Sequence, residues 1–442
     1  MRNKLTIKNI IHPFKKKINV SSDKSLSIRC ILLASIALGK SKIFNLLDSE
    51  DVNSTLQAVK KMGVTYKKKK NFIELYGVGI NGFKVKKNTV IDAGNSGTLA
   101  RCILGLCSSL DGKIKLIGDA SLSRRDFSRV IKPLNLFGVN INSHNKMLPI
   151  NLEGTNLLRP IDYFENKGSA QVKTCIIFSA LNTPGLTKIK AKKSRDHTEL
   201  LLKHLNYPIK IKKNKNFEFI SIKGLEQFKS FNYKVPGDIS SASFFIILTL
   251  MAKNSELIIK DININPSRIG ILKILKKMKA NISVINRRTY KGELIGDIKV
   301  KSTKYLKSIN CPENLNSAAI DEFLLIFLIA GTKSKGISSF SNLAELNKKE
   351  SPRLDIAINF LRMIGIKVKQ KKNHIKIFGN PKLKLSGKYY IKKFFKDHRV
   401  FMMSVIAALT LNGKWTIEDR DSIKTSFPNF LTILKSLGAE FK

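Results

Sequence analysis

The sequence predicts an α/β protein of two domains, each assembled from three copies of one strand-and-helix unit. Three observations carry this. A buried-type helix of about a dozen apolar and small residues, opened by polar or charged residues, occurs six times along the chain. A second, amphipathic helix follows each of them, and the six copies resemble one another. Landmark glycines near the ends of these second helices (Gly63, Gly138, Gly365, Gly438) imply a period of roughly 70 to 85 residues, longer than the ~20 to 50 of solenoid repeats. Each unit is therefore a small α/β subdomain. At 442 residues the chain exceeds what one hydrophobic core usually covers, so six units divide as three plus three.

The six openings are Lys24-Ser25 before LSIRCILLASIALG, Asn95-Ser96-Gly97-Thr98 before LARCILGLCSSL, and Ser169-Ala170-Gln171 before VKTCIIFSALN. They continue with Asp238 to Ser241 before ASFFIILTLMAKN, Asp321-Glu322 before FLLIFLIAG, and Asp397-His398-Arg399 before VFMMSVIAALTLNG. Polar residues thus fall at helix N-termini, where unpaired N–H groups and the helix dipole favour anions. A ligand with several negative charges is implied. The amphipathic copies run from EDVNSTLQAVKKMGV through RRDFSRVIKPLNLFGV and RDHTELLLKHLNYPI to NPSRIGILKILKKMKANI, ESPRLDIAINFLRMIGI and TSFPNFLTILKSLGAEF. Short β-rich runs such as GKSKIFNLL, GKIKLIG and GKWTIED link the two helices, and two or three further strands complete each sheet.

The apolar helices, at about 12 to 15 residues, fall short of the ~20 needed to span a bilayer. The opening MRNKLTIKNIIHPFKKK stays polar and carries no secretory pattern. A soluble, cytoplasmic protein is expected. Five cysteines (Cys30, Cys102, Cys107, Cys175, Cys311) lie mostly within apolar helices without ligand spacing, so they read as buried thiols. The formal net charge of +48 invites a nucleic-acid reading. Only 15 of the 80 basic residues are Arg, however, and the Lys residues are spread over every unit. That pattern fits compositional drift better than a basic stripe with interleaved aromatics. Weak, non-specific attraction to polyanions at low salt is all the charge implies. The arginines say more, since seven of the 15 (Arg29, Arg101, Arg125, Arg195, Arg268, Arg353, Arg399) sit at or beside the helix openings. Planar forks there suit bidentate grips on carboxylate or phosphate.

Singly, these motifs are ambiguous. In DKSLSIR the hydroxyl of Ser25 suits either a ligand or a helix cap, and the same holds for GSAQVK. DAGNSGTLAR places Gly97 where backbone must approach a ligand closely. RDHTE and KDHR are denser, with Asp, His and Arg together and no matching metal-ligand set. Among the few acidic candidates, Asp321-Glu322 opens an otherwise apolar helix. Glu350 has Lys348, Lys349 and Arg353 around it, a setting that suits either proton transfer or a surface ion pair.

In order, DKSLSIR, GNSGT, GDASLSRRD, GSAQVK, SRDHTE, PGDISSASFF, NPSRIG, AIDE, KKESPR, KDHR and TSFPNF resemble the 5-enolpyruvylshikimate-3-phosphate synthase family across nearly the full chain. The resemblance implies a two-domain inside-out α/β barrel, three repeats per domain, with the active site in the interdomain cleft. Hinges would lie near Ser22 and Gly237-Asp238. One domain would be residues 22–237 and the other 1–21 plus 238–442.

The family reaction moves the enolpyruvyl group of phosphoenolpyruvate onto the 5-hydroxyl of shikimate 3-phosphate through a tetrahedral intermediate. By resemblance, Lys24, Asn95, Gly97, Arg125, Gln171, Arg353 and Arg399 would hold phosphoenolpyruvate. Lys24, Ser25, Arg29, Ser169, Ala170, Gln171, Ser194, Asp321 and Lys349 would hold shikimate 3-phosphate. Asp321 would be the base, with Glu350 and Lys24 as proton carriers. The resemblance implies no metal or organic cofactor, no specific nucleic-acid or membrane partner, a monomer, and sensitivity to the inhibitor glyphosate.

Some positions depart from the pattern: Ser21 to Lys24 replace a Pro-Gly start, Ile28 a polar residue, Asp126 a Pro, and Asn347-Lys348 an Arg-Val pair. Cys102 stands where many members carry Pro. Thr425 aligns with a Lys of some members, with Lys424 one residue earlier. The alternatives are a UDP-N-acetylglucosamine enolpyruvyl transferase, whose Lys-Asn opening is Lys24-Ser25 here and whose loop Cys has no counterpart near Arg125, and a non-catalytic polyanion binder on the same scaffold.

Overall fold

The structure is a computed structural model that describes residues 3–394 and 396–442. The chain divides into two compact units. One is Ser22–Val235 with Thr289–Glu293; the other is Met1–Ser21, Pro236–Arg288 and Leu294–Lys442.

The first unit contains α1 (Lys24–Ser35), α2 (Glu50–Lys61), α3 (Gly97–Leu106), α4 (Ser128–Phe137), α5 (Ala170–Leu181) and α6 (His197–His204). The second contains α7 (Ile239–Met251), α8 (Gly270–Lys277), the single turn α9 (Asn316–Ala319), α10 (Phe323–Thr332), α11 (Arg353–Met363), α12 (His398–Thr410) and α13 (Phe430–Ser436). The six apolar helices are α1, α3 and α5 in one unit and α7, α10 and α12 in the other. They are apolar nearly all round and form the two cores, as a helix without a polar face must. Among the described residues no single helix is long and apolar enough to cross a membrane.

Five of these six helices start on a side-chain cap. Asp23, Ser96, Ser169, Asp238 and Asp397 accept from the backbone N–H of Leu26, Leu99, Val172, Ser240 and Arg399, each cap contributing about 1 kcal/mol. In α1 the cap is Asp23 rather than Ser25. The exception is α10: Glu322 stands at its N-cap position without a side-chain cap bond.

Each apolar helix leads into the central strand of a small sheet. Beside Leu186–Lys192, Asp162–Glu165 pairs in parallel on one side, Phe217–Lys223 antiparallel on the other, and Ile209–Lys213 lies outermost. The same order recurs around Leu38–Phe44, Lys113–Ile117 and Ser334–Phe340. Alternation along Leu186–Lys192 turns Thr187, Ile189 and Ala191 inward and Lys188, Lys190 and Lys192 outward. The excess charge is carried on outer faces of this kind. Each unit also closes on itself. Asn232–Lys234 pairs in parallel with Leu38–Phe44, Lys15–Ile18 with Glu256–Asn263, and Lys4–Ile7 lies antiparallel to Asn412–Glu418. Thr6 and Lys442 exchange both backbone hydrogen bonds alongside that last strand.

Glycine recurs where a strand end crosses the C-terminus of an apolar helix. A Cβ at Gly77 would stand 2.2 Å from the carbonyl of Ala37, at Gly224 1.7 Å from that of Thr183, and at Gly379 2.2 Å from that of Ser334. These obstacles are backbone, which cannot swing aside. Gly105 serves α3 in the same way, its missing Cβ lying 2.1 Å from the carbonyl of Cys175 on α5. The five cysteines are free and buried. Burial raises their thiols, Cys102 and Cys311 to about 11, so they stay protonated and unreactive.

Candidate active site

In the first unit the openings of α1, α3 and α5 assemble one set of polar residues. Lys24 Nζ lies 2.8 Å from Asp51 Oδ2 at the start of α2. Arg29, one turn further along α1 and 2 % exposed, donates from Nε to Thr198 Oγ1 (2.9 Å), from Nη2 to Thr174 Oγ1 (3.2 Å) and from Nη1 to the Ser25 carbonyl (3.0 Å). Two hydroxyls and a carbonyl thus aim the guanidinium. Asn95 donates to Asp119 (2.7 Å) and accepts from Arg125 Nη2 (3.3 Å), which ties the NSG turn to the Arg125 loop. Gly97 lies beside that loop, because a Cβ there would be 2.8 Å from Arg101 Nη1 and 3.0 Å from Arg125 Nη1. Gln171 donates to Thr98 and accepts from Arg101, both at 3.0 Å. Ser169 and Ala170 precede it on a turn whose N–H groups, from Lys167 to Ser169, donate to the Glu165 carboxylate. Ser194 Oγ is buried and has no hydrogen-bond partner among the described residues.

Behind this surface lies a buried ion cluster. Lys173, with no exposed surface, sits 2.6 Å from Glu199 and 2.5 Å from Glu218. Burial opposes its charge, but the two carboxylates outweigh burial and hold its pKa above the ordinary lysine value.

The second unit brings Asp321, Lys349, Glu350, Arg353 and Arg399 together. Asp321 lies in the corner between α9 and α10, helices bent by 118°. Its Oδ1 is 3.2 Å from Lys349 Nζ and 3.5 Å from Arg353 Nη1, and its carbonyl accepts from Arg399 Nη1 at 2.8 Å. Arg353 Nη2 holds Glu350 Oε2 at 2.6 Å. Arg353 also grips the buried Asp397 in two places, Nε at 2.9 Å and Nη2 at 3.1 Å. Burial disfavours the Arg353 charge, yet Asp397, Glu350 and Asp321 raise its pKa well above the usual value, so it is a permanent cation. Asp397 accepts from Ser351 as well (2.6 Å) while capping α12. The two residues at the chain's departure from the pattern differ in setting. Thr425 is buried against His398 Nδ1 at 3.2 Å, whereas Lys424 is exposed and pairs with Asp421.

Sequence reasoning missed several of these partners. Asp51, Arg101, Thr174, Thr198 and Asp397 stood only as members of helix openings and helix runs, with no partner assigned to them. Their side chains reach across 24 to 169 positions, a span that local pattern does not encode. Glu322 stands apart from the expectation of a simple helix opening, because its Oε1 accepts from Ser240 at 2.5 Å and lies 3.4 Å from Arg399.

The family model for EPSP synthase (3-phosphoshikimate 1-carboxyvinyltransferase) matches residues 8–434. This chain belongs to the EPSP synthase family. It is 41 % identical over 422 residues to the 3-phosphoshikimate 1-carboxyvinyltransferase of Ruthia magnifica subsp. Calyptogena magnifica, covering 95 % of each chain. Its structure is similar to that of EPSP synthase from Acinetobacter baumannii, with a TM-score of 0.87, 34 % identity, and 100 % and 99 % of the two chains covered. The enolpyruvyl transferase NikO from Streptomyces tendae has the same fold at 14 % identity, with a TM-score of 0.73 and 100 % and 98 % coverage. The EPSP synthase fold accounts for the six repeats and for the polar residues gathered at their helix openings.

Proposed function

We propose that this protein transfers the enolpyruvyl group of phosphoenolpyruvate to the 5-hydroxyl of shikimate 3-phosphate and releases phosphate, a step of aromatic amino acid synthesis carried out in the cytoplasm by a monomer. One observation carries the reading. Two carboxylates, Asp321 and Glu350, converge on one buried guanidinium, Arg353, as an addition–elimination needing both a base and an acid requires. Asp321 takes the proton of the 5-hydroxyl as its oxygen bonds to C2 of phosphoenolpyruvate, and Glu350 delivers a proton to C3, making a methyl group. The tetrahedral adduct then returns a methyl proton to the protein. The C2–O bond to phosphate breaks, Lys24 meeting the departing oxygen, and the enol ether double bond forms.

The remaining residues hold charge in place. Arg125, Arg353, Arg399 and Lys24, with Asn95, Gly97 and Gln171, grip phosphoenolpyruvate. Ser25, Arg29, Ser169, Ala170, Gln171, Ser194 and Lys349 grip shikimate 3-phosphate, with the buried Ser194 hydroxyl and Ser169 at its phosphate and Arg29 at its carboxylate. Fixed donors of this kind stabilise developing charge without reorganising. Phosphate release from phosphoenolpyruvate that depends on shikimate 3-phosphate tests the reading. Release driven instead by UDP-N-acetylglucosamine, or none with either acceptor, overturns it.

The assigned residues are shared between residues 22–237 and the rest of the chain, and the proposed reaction needs both sets on the same pair of substrates. Small-angle scattering is expected to show a smaller radius of gyration with shikimate 3-phosphate present. An unchanged radius would mean that no closure accompanies binding. A second expectation concerns glyphosate, which competes with phosphoenolpyruvate in this family and is the longer ligand. An added methyl at Gly97 would press on the tips of Arg101 and Arg125, at 2.8 and 3.0 Å. These tips can yield by a few tenths of an ångström in a close-packed site, an order-of-magnitude figure, which the shorter substrate tolerates and the longer inhibitor does not. Gly97→Ala should weaken glyphosate about tenfold more than phosphoenolpyruvate, and equal losses in the two affinities would remove the steric account.

A further inference from the structure

The buried ion cluster around Lys173 is built from side chains other than those assigned to chemistry, and it joins the two segments that carry Ser169 and Ser194. Lys173 lies on α5, two residues after Gln171 and four after Ser169. Its ammonium reaches Glu199 on α6 and Glu218 in the strand Phe217–Lys223. Lys213 extends the network from the next strand, 2.6 Å from Asp196 and 3.4 Å from Glu218, and so secures the segment that begins at Ser194. The residue after Lys173 and the residue before Glu199 complete the picture. Thr174 and Thr198 share a hydrogen bond of 2.8 Å, and both accept from Arg29. Fixing α5 against α6 therefore fixes the seat of Arg29.

Stability does not account for such a cluster. Burying an ammonium and two carboxylates gains little over an apolar core of the same shape, because desolvation cancels most of the attraction. What the ions supply is a unique register, since one ammonium must meet two carboxylates from different elements. Because it is fully buried, Lys173 cannot itself touch a ligand.

We propose that Lys173 is a positioning residue for shikimate 3-phosphate, holding α5 and α6 in the register that aligns Ser169 with Ser194 and seats Arg29 on Thr174 and Thr198. This rests on the assignment of that half-site to shikimate 3-phosphate.

The test uses the full chain and its Lys173→Gln and Glu199→Gln variants, with KM for each substrate, kcat, and calorimetric titration of shikimate 3-phosphate alone. Lys173→Gln is expected to raise KM for shikimate 3-phosphate about tenfold or more, and to weaken direct binding in parallel, while KM for phosphoenolpyruvate at saturating co-substrate and kcat stay within about threefold. Glu199→Gln keeps the Lys173–Glu218 pair and so its fold. It should raise the same KM about threefold, and this variant decides the matter if Lys173→Gln does not fold. A lowered melting temperature with unmoved KM values would make the cluster purely structural and overturn the proposal. A parent protein that fails to bind shikimate 3-phosphate would overturn the half-site assignment first, and the proposal with it.

Discussion

Asp321→Asn and Glu350→Gln are each expected to cut turnover about a hundredfold or more while leaving the protein folded, since positioned acid–base groups contribute about 10²- to 10⁴-fold. The substitutions keep shape and remove only the ability to carry a proton. The geometry argues that the losses will not arise from collapse. Glu350 bonds to Arg353, and Arg353 keeps its bidentate grip on Asp397 without it. Asp321 holds Arg399 through its carbonyl, which the substitution does not touch. Single-turnover phosphate release, with far-UV circular dichroism as the control for folding, separates the two causes. Near-normal turnover in either variant removes that residue from proton transfer.

Much of the fold was legible because each repeat announces itself locally. A polar residue followed by an apolar run marks the start of a buried helix, as at Ser96, Ser169, Asp238 and Asp397, although at α1 the cap is Asp23 and not the expected Ser25. A glycine in the left-handed region marks the end of four of the amphipathic ones, at Gly63, Gly138, Gly365 and Gly438. The crossings of strand over helix were not legible. Gly77, Gly224 and Gly379 look like ordinary turn residues until the carbonyls lying within 2.2 Å of their missing Cβ positions are in view.

The site shows the same division. The gathering of polar residues at the helix openings could be read from residue type and place, because helix N-termini favour anions whatever lies opposite them. The partners that aim those residues could not. Arg29 and Thr198 are 169 positions apart, and Lys173 and Glu218 are 45 apart. Even where a motif was noticed, its main task stayed hidden. Asp397 in KDHR stands at a helix opening, and it does cap α12, but its carboxylate is chiefly the counter-charge of Arg353.

That double duty makes Asp397→Ala a strongly destabilising change in the second unit. Arg353 is 2 % exposed and has two of its nitrogens on Asp397. Among the described residues, deleting that carboxylate leaves a buried cation with the partly exposed Glu350 and the more distant Asp321 as its acidic neighbours. Removing one partner of a buried pair costs about 3–5 kcal/mol, and the lost cap on α12 is part of that sum at about 1 kcal/mol. Asp397→Asn separates the two contributions, because an amide oxygen can still accept from the Arg399 N–H while the charge is gone. Urea unfolding should rank the wild type above Asn and Asn above Ala. Affinity for phosphoenolpyruvate should fall in the same order, because the Arg353 fork is no longer held for the incoming carboxylate or phosphate. A loss below about 1 kcal/mol in Asp397→Ala, the value of an ordinary surface ion pair, would show that Glu350 and Asp321 suffice to hold Arg353, and that Asp397 is a helix cap and little else.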